Sequence, residues 1–76
     1  MSAPANFKAW GRGEVMKFFQ GYIFEADELK KIEDLWLHGE ILPTVTERKL
    51  RDWDIPLGLA VRMITILQQV GIQSGT

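Results

Sequence analysis

The sequence predicts an all-α fold, a compact bundle of five helices closed by a long C-terminal helix. Three observations carry that expectation. From Trp10 to Ile72 the apolar residues recur at helical rather than alternating spacing. Gly21, Gly39, Pro43, Pro56 and Gly71 punctuate the periodic stretches. No repeat, low-complexity run or linker interrupts them, so residues 10–72 read as one domain, with flexible segments at 1–9 and 73–76.

Val15, Phe18, Phe19 and Tyr22 lie at i, i+3, i+4 and i+7, the stripe of a first helix from Gly13 to Gln20 that Gly21 stops. Leu29, Ile32, Leu35 and Trp36 repeat the spacing and define a second helix from Ala26 to Leu37. Gly39 is expected in the left-handed position just past its last turn. Glu40 to Leu42 leave room for a third, short helix or 3₁₀ turn before Pro43, whose ring disfavours helical geometry in the preceding residue. Thr46 suits the N-cap of a fourth helix from Glu47 to Trp53, with Glu47 at the positive end of the helix dipole. Thr44 with Glu47 forms a rival capping box. The turn Asp54, Ile55, Pro56 then releases the fifth and longest helix, Leu57 to Val70, before Gly71. Its apolar residues Ala60, Met63, Ile64, Leu67 and Val70, flanked by Leu59 and Ile66, span about 160° at ~100° per residue. An arc that wide makes this helix the central packing element and leaves an apolar edge for a partner.

Composition narrows the function. Of 76 residues 46% are apolar and 25% charged, a folding composition rather than a disordered one. No window approaches the roughly 18 uninterrupted apolar residues of a membrane span. Without cysteine there is no disulfide or zinc staple, so well-packed helices with three Trp and four Phe must hold the core. Met1 to Pro4 lack the basic and apolar regions of a signal peptide, which predicts an intracellular protein, cytoplasmic rather than nuclear. A net charge of -1 speaks against a chain held chiefly by nucleic-acid phosphate or an acidic membrane, and protein partners are expected instead.

The chemistry of catalysis is poorly represented. A nucleophile needs an adjacent base, yet His38 is the only histidine, cysteine is absent, and Ser2 and Ser74 sit near the ends. His38 beside Glu40 offers two metal ligands without a third, and the plain reading is a solvated residue at a helix end. Gly11 and Gly13 form a G-x-G with no strand before it and no βαβ unit around it, so it reads as a flexible helix entry. No enzyme activity, metal or cofactor is expected.

Trp10, Val15 and Phe18, followed by Gly39, Leu42, Thr46, Glu47, Leu50, Ile55, Gly58, Met63, Ile64 and Leu67, resemble in order and spacing the sterile alpha motif (SAM) domain. The resemblance covers Trp10 to Val70. It implies a five-helix bundle that binds another SAM domain, an acidic mid-loop surface of one meeting the start of the fifth helix, the end-helix surface, of the other. It also admits RNA-hairpin binding, as in some members. A purely structural domain packed on its own parent protein is a further alternative that the sequence leaves open. Three positions depart from the family pattern: His38 stands where it carries Asp, Asp54 where it carries Gly, and Ala60 where many members carry a basic residue. Asp tolerates the left-handed backbone better than most residues, whereas Ala60 takes a charge from the end-helix surface.

The charges segregate along the chain. Residues 25–54 hold nine acids and five bases, a net of -4, while Lys8, Arg12, Lys17 and Arg62 face Glu14 alone elsewhere, a net of +3. That division suits head-to-tail association with a SAM partner, self or heterotypic, in a signalling or scaffold protein. A solvated surface whose acids pair with Lys30, Lys31, Arg48, Lys49 and Arg51 would produce the same division. The expected end-helix contacts are Leu57, Gly58, Leu59 and Arg62, the bland alternative being that the two leucines fill the core. The expected acidic contacts are Asp34, Glu40, Glu47, Asp52 and Asp54, joined by Trp36. Periodicity leaves Trp36 two places: at the edge of the core, or outside it as an apolar anchor if Leu35 and Leu37 hold the inside.

Overall fold

A computed structural model describes residues 4–73. Four α-helices, α1 (Arg12–Gln20), α2 (Ala26–Asp34), α3 (Glu47–Asp52) and α4 (Leu57–Gln69), are joined by loops holding two 3₁₀ turns, Phe7–Ala9 and Leu42–Thr44. The described residues contain no strand. The all-helical expectation holds at that level, but the count of five helices does not: the expected third helix is the 3₁₀ turn Leu42–Thr44, with Pro43 inside the turn rather than after it. Proline's fixed φ suits the start of such a turn, and its missing N–H takes nothing from a ladder that short.

The pairs α1 with α2 and α3 with α4 pack against each other. Their shared core contains Val15, Phe19, Ile32, Leu42, Val45, Leu50, Met63 and Leu67, each at most 2% exposed. Ala60, also fully buried, lets the backbone of α4 approach its neighbours closely. An aromatic chain runs along one side, from Phe7 to Trp10, Phe18 and Tyr22, with Trp10 and Phe18 centroids 5.4 Å apart. Phe7 and Gln73, which the sequence assigns to the flanking segments, join the fold. Phe7 packs on the core, and the Gln73 amide donates to the carbonyls of Leu42 and Val45 at 2.8 and 2.5 Å. Ser2 and Ser74 lie outside the described residues.

The helix ends explain most differences from the sequence reading. Thr46 caps α3 as expected, its hydroxyl accepting from the Lys49 amide at 3.0 Å, whereas the Thr44 hydroxyl donates to the Ile41 carbonyl and forms no capping box. α2 stops at Asp34, three residues before the expected end. On a continuing helix Leu35 and Leu37 would point some 200° apart, and leaving the helix allows both to turn inward. Leu37 is 4% exposed and Leu35 packs against the core. The left-handed residue that ends α2 is therefore Trp36, at φ 56°, and not Gly39. Gly39 serves a different need. Its amide donates to the Trp10 carbonyl at 2.9 Å, and a Cβ there would overlap the Phe7 carbonyl oxygen.

α3 and α4 end in a common pattern. After α3, Asp54 is left-handed at φ 66°, its amide donates to Arg51 and the Ile55 amide to Leu50. After α4, Gly71 is left-handed at φ 83°, with Gly71 donating to Gln68 and Ile72 to Leu67. These are Schellman stops, each closed by a buried apolar pair, Leu50 with Ile55 and Leu67 with Ile72.

Candidate partner-binding surfaces

The start of α4 divides the expected end-helix residues. Leu57 is 51% exposed and Gly58 is open, so both lie on the surface. Leu59 is 3% exposed and belongs to the core, which removes it as a contact. A residue two positions on from an outward one points back inward on a helix, so Leu57 and Leu59 cannot share a face. The exposed neighbour of Leu57, four residues on, is Val61, which the sequence reading left out.

Arg62 is not an unengaged cation. Its guanidinium donates to the Ile23 carbonyl, pairs with the Glu28 carboxylate at 3.4 Å and lies 4.5 Å from the centroid of Phe24. It pins the loop between α1 and α2 against α4. Beside this latch, Gly21, Tyr22, Ile23, Val61, Thr65 and Ile66 line an open groove of about 430 Å³. Ile23, on its rim, is 90% exposed because its carbonyl, not its side chain, faces the protein.

The acidic residues behave differently. Asp34, Glu40, Glu47, Asp52 and Asp54 are all exposed, and Arg62–Glu28 is the one ion pair among the described residues. The pairing with Lys30, Lys31, Arg48, Lys49 and Arg51 that the alternative reading of the charges supposes does not form among the described residues. The surface is nonetheless mixed in charge. Glu47 and Asp52 share a shallow groove of about 330 Å³ on α3 with Arg48 and Arg51, so local attraction for a cationic partner is weakened there.

Trp36 lies outside the core, 61% exposed as a residue. Of its two possible places, the structure selects the outer one, with Leu35 and Leu37 inside. The Arg12 guanidinium covers one side of the ring, 3.7 Å from the centroid. No signal in the sequence pairs residues 12 and 36, because the contact exists only once α1 packs on α2. Trp53 is also partly exposed, at 43%, next to Asp52 and Asp54.

Among the described residues no three His, Asp or Glu side chains converge as a metal site, and no helix is long and apolar enough to cross a membrane. His38 is exposed, well past the end of α2 rather than at it. Comparison of the chain with family models, curated proteins and solved structures returns no match.

Proposed function

We propose that this chain is a SAM-like interaction module that binds another SAM domain, self or heterotypic, within a larger cytoplasmic signalling or scaffold protein. The resemblance from Trp10 to Val70 supplies the family, and the order of helices, with the longest last, is compatible with it. The observation that carries the reading is Trp36. A bulky aromatic in the left-handed region costs backbone energy, and a residue left 61% exposed recovers little of it by burial. A large exposed ring flanked along the chain by Asp34 and Glu40 has the makeup of a binding hot spot. Trp36, Asp34 and Glu40 form the centre of the acidic surface in this reading, with Asp52 and Asp54 at its edge.

The opposing surface is the start of α4, presenting Leu57, Gly58 and Val61. Ala60 is buried in the core, so contrary to the expectation it takes no charge from this surface; with Arg62 held by Ile23 and Glu28, attraction there is apolar more than ionic. The RNA-hairpin alternative loses ground for the same reason, since Arg62 is already occupied and the start of α4 offers no other base.

The test is molar mass against concentration by sedimentation at low and high salt. Association that weakens only modestly with salt, and weakens further when Glu40 and Asp52 are both reversed to Lys, supports the reading. A chain that stays monomeric alone and against candidate SAM domains would remove it.

A further inference from the structure

Arg12 is the first residue of α1 and is partly buried. Its Nη2 donates to the carbonyl of Glu33 at 3.3 Å, in the last turn of α2, where a cation also meets the negative end of the helix dipole. The same guanidinium lies over Trp36, 3.7 Å from the ring centroid. Its Nε is buried and makes no hydrogen bond, so the group is held in place against a desolvation cost. A cap for α2 alone would require only the donor to Glu33. The stack is what places this particular group, planar and weakly hydrated, at that spot.

The backbone of Trp36 is fixed by its left-handed turn, but an exposed indole retains freedom about its side-chain bonds. A partner would have to suppress that freedom on binding. We propose that Arg12 is a positioning residue for Trp36: by covering one side of the indole it holds the ring, before any partner arrives, in the orientation that a partner engages. This inference rests on the reading of Trp36 as an anchor and adds a residue from a different helix to that surface. Arg12 itself need not touch the partner, because it acts through the ring.

The experiment uses Arg12→Ala, Arg12→Lys and Trp36→Ala in the full chain, with two readouts. The first is nitrogen relaxation of the Trp36 indole N–H in dilute monomer, assigned by its loss in Trp36→Ala, which needs no partner. The second is self-association by sedimentation. Arg12→Ala should loosen the indole and weaken association about three- to tenfold, and should have no further effect when Trp36 is already Ala. Arg12→Lys keeps a cation near Glu33 but lacks the planar group, so it should fold normally and leave the indole looser than in the parent chain. An indole as rigid in Arg12→Ala as in the parent, or an equal loss of association with Trp36 present or absent, would overturn the role of Arg12 while leaving Trp36 as the anchor. Association, with itself or with candidate SAM domains, that is untouched by Trp36→Ala or absent at all concentrations would instead remove the anchor reading and the positioning role with it.

Discussion

The stops after α2 and α4 answer one geometric need with opposite chemistry. Both place a residue in the left-handed region, Trp36 at φ 56° and Gly71 at φ 83°. At α4 the residue is glycine, free of Cβ strain, and the next one, Ile72, is 6% exposed and packs into the core. At α2 it is the bulkiest residue available, left 61% exposed. One stop follows the rule for stability throughout. The other departs from it at a single side chain, while Leu37 beyond it is buried as Ile72 is. The departure from what stability favours therefore lies in the Trp36 side chain, not in the turn that carries it.

Substitutions at these stops sharpen the comparison. The largest effect belongs to the buried clasp: Ile72→Ala should lower the unfolding free energy by about 2 to 4 kcal/mol in a urea titration, by opening a cavity beside Leu67. Gly71→Ala should cost about 1 to 2 kcal/mol, since a Cβ enters the left-handed region with nothing to offset it. Asp54→Gly at the intermediate stop after α3 should move the other way, raising stability by about 0.5 to 1 kcal/mol in the same titration, because Asp bears a smaller left-handed penalty than most residues. If Gly71→Ala were neutral, the left-handed turns would not be strained and the contrast with Trp36 would lose its meaning.

The parts of this molecule that the sequence discloses are those set by neighbours along the chain. Thr46 reads correctly as a cap because its partner, the Lys49 amide, is three residues away, and the stripe of α4 reads correctly because one helix face fixes it. Asp54 takes the left-handed conformation, which Asp tolerates better than most residues. What the sequence conceals depends on residues that meet only in three dimensions. Gly39 looked like a helix stop, but its small size is required by Phe7 and Trp10, some thirty positions earlier. Periodicity alone carries α2 past Asp34, because it weighs Leu35 and Leu37 as helical when the core wants both. Arg62 looked like an available cation for the same reason: Ile23, Phe24 and Glu28 reach it across the bundle from 34 to 39 positions away. At the candidate surfaces the acids and Trp36 named from the sequence are exposed, and the neighbours Arg12, Ile23 and Val61 become visible only in the fold.

The engaged state of Arg62 also separates the two surfaces by salt. An interface resting on Trp36 and on Leu57 with Val61 should change its dissociation constant only a few-fold between low and physiological salt, as apolar contacts are not screened. A steep dependence would return the leading role to charge.

The most direct test of Trp36 as an anchor is Trp36→Gly, with thermal stability and association measured on the same preparation. Glycine relieves the left-handed strain and forfeits a stack with Arg12 worth about 0.5 to 1 kcal/mol, so the two nearly cancel. The expected result is a melting temperature within a few degrees of the parent chain together with loss of association. A fall in stability of more than about 2 kcal/mol with association intact would make Trp36 a structural residue and contradict the account.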